Sequence, residues 1–190
     1  MAAYMKFGTI RGDATQKVGG RILIKDPAFL EEQGWISISE FKWVIDRKIT
    51  TRSGAHGSTR DSKQPAVETF TVNKEADKAT SQLLTSICFN NNAETCTIVF
   101  VKTGSPGEVY MQYRFSNVFI TNINNAYVAT HEGEHHTETL TINFTKVEMA
   151  HLSSDTTNVL SKSDPDRFEF EAPAGAPSGS GSGHTKGGHG

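Results

Sequence analysis

Cysteine is scarce: Cys88 and Cys96 are the only two in 190 residues. That is too few for a disulfide framework, and the expected state is two free thiols, one on a helix and one on a strand, in a protein made in a reducing cytoplasm. Long apolar runs are lacking as well. Nothing approaches the roughly eighteen apolar residues of a membrane span, so no membrane insertion is expected. The opening MAAYMKFGTIRGD has no apolar stretch behind a basic start, so a signal peptide is not expected and export would need another route. Neither sign of charge dominates. Lys and Arg number 19 against 21 Asp and Glu, net -2, which leaves no basic excess for nucleic acid or anionic lipid. Catalytic signatures are equally thin. GDATQKVGG lacks the lysine spacing and strand–helix setting of a phosphate loop. No G-x-S-x-G elbow occurs, and the carboxylates are scattered with no paired set in an apolar setting. Neither an enzymatic activity nor a cofactor is expected.

What is present suffices for one domain with a real core, 36% of the chain being hydrophobic. MKFGTIRG reads as a first strand ended by glycine. RILI, before Pro27, is a possible short strand. WISISEFKWVI alternates strictly, with Trp35, Ser37, Ser39, Phe41, Trp43 and Ile45 on one face and Ile36, Ile38, Glu40, Lys42 and Val44 on the other. Residues 46–66 are polar, basic and glycine-containing, a loop or extended hairpin longer than most connections and therefore a functional candidate. VETFTV is a strand. In EADKATSQLLTSICFN the period changes: Ala76, Ala79, Leu83, Leu84, Ile87 and Cys88 recur at helical spacing, with Asp77 or Thr80 as N-cap and Asn90–Asn92 as the stop.

Strands follow. CTIVFV leads to a turn at TGSPGE and then to VYMQYRFSNVFITNI, where Val109, Met111, Tyr113 and Phe115 give way to Val118 and Ile120. That change of parity predicts a β-bulge at Ser116–Asn117. A second change, from Leu140, Ile142 and Phe144 to Val147 and Met149, predicts a bend at Thr145–Lys146. Long bent strands are what a barrel requires. The expected fold class is mainly β, a β-barrel of two packed antiparallel sheets with one flanking α-helix and an extended loop. Residues 1–152 form the barrel domain and residues 153–177 a polar C-terminal extension, with Phe168 and Phe170 as a conceivable docking arm. Residues 178–190, SGSGSGHTKGGHG, read as a flexible Gly/Ser/His tail, natural or appended.

HEGEHH, residues 131–136, contains H-E-x-x-H. That spacing places two zinc-binding histidines, His131 and His135, on one helical face with Glu132 as general base. The segment lies between two alternating strands, and Gly133 in its middle costs a helix roughly 1 kcal/mol. A charged turn is therefore expected, with no catalytic metal; His131, His135 and His136 remain weak candidates for a divalent ion. Cys88 falls on the apolar helix stripe, where packing is its expected role.

Particular words in this order resemble the haemolysin-coregulated protein (Hcp) family, the tube subunits of bacterial type VI secretion systems. MKFGTIRGD, SEFKW at 39–43, NKEADKATSQLLTSIC at 73–88, YMQYRFSNVFITNI at 110–123 and TETLTINFTKVEM at 137–149 carry the likeness, over residues 4–150. The helix entry, Thr80-Ser81-Gln82, lacks the proline many members have. The resemblance implies hexameric rings stacked into a tube that a sheath propels outward, carrying effectors in its lumen. Its partners would be further copies, sheath and spike components and effectors, and its route would lead from the bacterial cytoplasm to the outside. The ring or stacking interface would then include Arg47, Lys48, Arg52, His56 and Arg60. Rival readings are a tail-tube protein of a phage or other contractile injection system, a monomeric ligand-binding barrel, and a zinc hydrolase using His131, Glu132 and His135.

Overall fold

The computed structural model describes residues 2–15, 18–19, 21–26, 34–47, 49–54, 57–62, 67, 69–102, 107–130, 133–154 and 159–172. In chain order these form β1 (Ala2–Phe7), β2 (Val18–Gly19), β3 (Ile36–Ile38), β4 (Glu40–Trp43), β5 (Ile49–Gly54), β6 (Gly57–Ser62), β7 (Thr69–Glu75), α1 (Thr80–Phe89), β8 (Glu94–Val101), β9 (Gly107–Thr130), β10 (Gly133–Asn143), β11 (Lys146–His151) and β12 (Asp166–Glu171). Pro27, most of the turn at TGSPGE and the tail 178–190 lie outside the described residues.

Ten strands share one hydrogen-bonded sheet whose path runs β3-β1-β8-β9-β10-β7-β4, with β11 on β9, β12 on β11 and the short β2 parallel to the start of β9. β5 and β6 form a separate two-stranded sheet. The two ends of the path, β3 and β4, are separated in the chain only by Ser39, whose N–H donates to the Asn73 carbonyl at 2.8 Å. Covalent chain at Ser39, and no further ladder, joins the two ends. The expected mainly β architecture with one helix is thus present. Its two packed layers are halves of one continuous sheet, shared through the long β9.

The predicted bulge is there. Glu94 pairs with Val118 and Thr95 with Ser116, leaving Asn117 unpaired at φ 53°, a left-handed conformation that asparagine tolerates better than most residues. The second predicted bend sits directly against it. The Asn117 amide donates to Thr145 Oγ1 at 2.9 Å, and the Thr145 N–H to the Ser116 carbonyl at 3.3 Å. β9 and the run β10–β11 therefore turn together from one layer into the other.

Three sequence expectations are corrected. WISISEFKWVI does not keep one face. Ile36 and Ile38 point into the core before Ser39, and Phe41 and Trp43 do so after it, because the segment pairs with β1 first and with β7 afterwards. RILI is no strand. Gln112, fully buried on β9, accepts from Leu23 and Ile24 N–H and donates to the Ile24 carbonyl, so a side chain satisfies the backbone of this loop. Phe168 and Phe170 do not lie on a free arm. β12 pairs with β11 of its own chain, with Lys146 bonded to Glu169 at 2.6 Å and Phe170 packed against the core.

The main core lies between the layers. Phe70 stacks on Phe115 with centroids 4.1 Å apart, Phe144 meets Phe115 edge-on at 4.8 Å, and Phe41 and Trp43 close the same cluster. Burying each such ring contributes about 1.5–3 kcal/mol. α1 adds Ala79 and Leu83, with Ile87 at the margin. Its N-cap position is Ala79, with no side-chain cap hydrogen bond, so neither Asp77 nor Thr80 takes the N-cap role expected of them. Asp77 accepts from the Ala79 N–H at 3.0 Å, and the Asp77 N–H donates to Thr80 Oγ1 at 3.1 Å. A second core covers the outer face of the β1–β8–β9 layer with Val18, Leu23, Ile24 and Trp35. Gly12 permits that cover. A Cβ there would stand 2.6 Å from Ile36 Cα, so only glycine lets this loop lie against β3.

Candidate self-assembly surfaces

The polar stretch 46–66 contains the β5–β6 hairpin, with Gly54 paired to Gly57 at its end. Arg47 is exposed at its root. Arg52 stands in β5 opposite Thr59, and Arg60 in β6 opposite Thr51. Lys48 and His56 lie outside the described residues. This hairpin leaves the barrel between Trp43 and Thr69, both at the end of β7 where Trp43 faces Phe70 and Asn143 faces Thr69.

HEGEHH does not form a helix over its described part. Gly133–His136 begin β10, with Gly133 opposite Thr130, His135 opposite Val128 and His136 opposite Tyr127. Consecutive residues on a strand point to opposite faces, so His135 and His136 diverge. His135 Nδ1 lies 3.9 Å from Glu75 Oε1, and the His136 ring meets Tyr127 edge-on at 6.1 Å. His131 and Glu132 lie outside the described residues. Among the described residues no three His, Cys, Asp or Glu side chains are grouped to hold a metal. Beyond the Thr137–Glu75 pair the Ala76 N–H donates to the His136 carbonyl at 2.8 Å, and among the described residues no third strand continues along the β9–β10 ribbon, where Glu134, His135, His136 and Tyr127 are exposed.

At the base of this ribbon lies a network that the composition did not announce. Lys74 Nζ is fully buried, 2.6 Å from Glu138 Oε2 and 2.9 Å from Asp77 Oδ1. Glu138 is the residue paired with Lys74 across β7 and β10. The pattern held a signal, since Lys74 shares the parity of Phe70 and Val72, and Glu138 that of Leu140 and Ile142. Buried charges of opposite sign at opposed positions imply a pair. The network extends outward: Asp13 accepts from the Lys78 N–H at 3.0 Å and lies 3.2 Å from Lys78 Nζ, which holds its carboxyl below the usual carboxylate range. A cleft of about 610 Å³ beside it is lined by Tyr4, Asp13, Ser37, Ser39, Glu75 and Asp77. Two of its carboxylates, Asp13 and Asp77, are engaged by Lys78 and Lys74.

Both thiols are free, one on the helix and one on a strand as expected, but the packing role expected of Cys88 is not observed. Cys96 is buried on β8, where burial and then Asp26 push its pKa up. Cys88 is exposed, because α1 buries the narrower stripe Ala79–Leu83–Ile87 and turns Leu84 and Cys88 outward.

A type VI secretion system effector from Yersinia pestis superposes with TM-score 0.61 at 17% identity, over 90% of this chain and 99% of that one. Hcp1 from Salmonella typhimurium gives 0.60 at 12%, over 90% and 93%. The sheath–tube complex of an extracellular contractile injection system gives 0.53 at 14%, over 79% and 88%. The family model described as "Type VI secretion system effector, Hcp" matches residues 4–151, and the chain belongs to that family. No curated protein matches it.

Proposed function

We propose that this chain is a structural subunit that assembles into hexameric rings, which stack into the inner tube of a type VI secretion system. The observation that carries this reading is the family match over residues 4–151 on a mainly β fold with one flanking helix. The interior supports a structural role over a ligand-binding one, since rings of Phe41, Trp43, Phe70, Phe115 and Phe144 occupy it. The subunit is made in the bacterial cytoplasm and leaves through the secretion apparatus, with sheath and spike components as partners and effectors carried in the lumen. Arg47, Lys48, Arg52, His56 and Arg60 form its contact to the next ring.

The test is mass by light scattering with negative-stain imaging of the same fractions. Rings near six times 20.7 kDa, stacking as concentration rises, are expected. A monomer at every concentration overturns the reading. The likeness to an extracellular injection sheath–tube complex supports a second setting, the tube of such a machine. Co-purification with type VI sheath components separates the two.

A further inference from the structure

Two segments reach the outer edge of β3, one on each side of Ser37. The Ala14 N–H donates to the Trp35 carbonyl at 3.0 Å, and the Ser39 N–H donates to the Asn73 carbonyl at 2.8 Å. Backbone groups along a strand alternate in direction, so Ser37, two residues past Trp35, turns its N–H and C=O toward the same edge. The cleft of about 610 Å³ opens there, between the loop that carries Ala14 and the segment that carries Glu75 and Asp77.

Its wall has one-sided chemistry. Among the described residues every polar side chain lining it ends in oxygen: the hydroxyls of Tyr4, Thr15, Ser37 and Ser39, and the carboxylates of Asp13, Glu75 and Asp77. Tyr4 is the decisive member. It stands opposite Ser37 in the β1–β3 ladder and is only 8% exposed, yet its hydroxyl has no hydrogen-bond partner among the described residues. Burial raises its pKa, so it stays a neutral phenol. A polar group buried without a partner costs free energy, which a donor seated in the cleft would recover. Charge leans the same way. In the ion pairs around the cleft Asp13, Glu75, Asp77 and Glu138 meet Lys74 and Lys78, an excess of two carboxylates with His135 neutral. Glu75 is 76% exposed, with His135 Nδ1 3.9 Å away.

We propose that this cleft binds a small organic dication, an aliphatic diamine or polyamine, with one ammonium group against the Tyr4 hydroxyl and the Ser37 carbonyl and the other at Glu75. An ammonium group brings three N–H donors and no acceptor, which suits a wall of oxygens. An anion would meet carboxylates with no lining cation among the described residues, and a neutral ligand would leave the excess charge unmatched. An added peptide strand does not fit, because the edge of β3 is already taken at Trp35 and at Ser39. Such binding is a property of the single chain and stands whether or not rings form.

Isothermal titration calorimetry of the full chain with spermidine and with putrescine, at about 0.15 M salt to screen loose surface attraction, tests it. One saturable site per chain is expected, and 1,4-butanediol, with hydroxyls in place of the ammonium groups of putrescine, is expected not to bind. Tyr4→Phe removes a single hydroxyl and should weaken binding about tenfold. Glu75→Gln, at an exposed position, should weaken it about threefold. Glu171→Gln, on β12 and outside the cleft, should leave it unchanged. Circular dichroism checks each fold, and if Tyr4→Phe does not fold, Glu75→Gln against Glu171→Gln decides. Absence of saturable binding by both amines overturns the site. So does binding that Tyr4→Phe and Glu75→Gln leave at wild-type strength, or that Glu171→Gln weakens as much as Glu75→Gln.

Discussion

The two parts of β10 share one strand and differ in their surroundings. From Glu138 to Asn143 the strand lies between β7 and β9, and Leu140 and Ile142 are fully buried. From Gly133 to His135 its described ladder partner is β9, the Ala76 N–H past the end of β7 still donates to the His136 carbonyl at 2.8 Å, and Glu134, His135 and His136 are exposed. The lesson is that alternation marks a strand, whereas a third strand and an opposing layer decide whether that strand becomes core or exposed surface. The boundary between the two regimes is the buried Lys74–Glu138 pair.

The comparison can be broken hardest from the core side. Phe115→Ala removes the ring that Phe70 and Phe144 pack against, and a loss of about 3–5 kcal/mol is expected in denaturant unfolding. A loss under 1 kcal/mol would show that the layers do not close on each other as described.

Next comes the boundary. Glu138→Ala leaves Lys74 buried with Asp77 as its remaining acid, and about 3 kcal/mol should be lost, since breaking a buried pair strands a charge. Replacing both as Lys74→Met with Glu138→Leu should cost less than Glu138→Ala alone. A double variant worse than the single one would mean that the pair does more than neutralise itself.

The hinge between layers is tested at Asn117. Asn117→Val puts a β-branched residue at φ 53° and should cost about 1–2 kcal/mol, while Asn117→Gly should change little. Equal stability of the two would contradict the left-handed bulge.

The smallest effect belongs to the ribbon. Tyr127→Ala should shift stability by no more than about 0.5 kcal/mol, because its ring is exposed. A thermal melt showing a core-sized loss would erase the distinction between the two parts of β10.

Much of this was legible beforehand because it depends on short-range regularities. Val118 and Ile120 following Phe115 at the wrong parity required an extra residue, and Asn117 is that residue. The helix followed from its spacing, although its N-cap fell on Ala79 and not on Asp77 or Thr80. Less was legible where one segment serves two neighbours. The switch of face at Ser39 depends on β1 and β7 both being in place, which no local pattern records. The loop 21–24 looked like a strand because Ile22, Leu23 and Ile24 are apolar, yet the amide of Gln112, far along the chain, takes its hydrogen bonds. Cys88 matched a helical stripe wider than the sheet beneath it could cover.

By itself, then, the sequence determined the strands, the two bends, the single helix and the family, since periodicity, turn chemistry and residue words are properties of neighbours along the chain. The tertiary structure decided which alternating segments became core, that Lys74 would be paired with Glu138, and that β12 would return to β11. Those outcomes depend on ladder register between residues far apart in sequence, and a one-residue change of register would redirect every side chain involved.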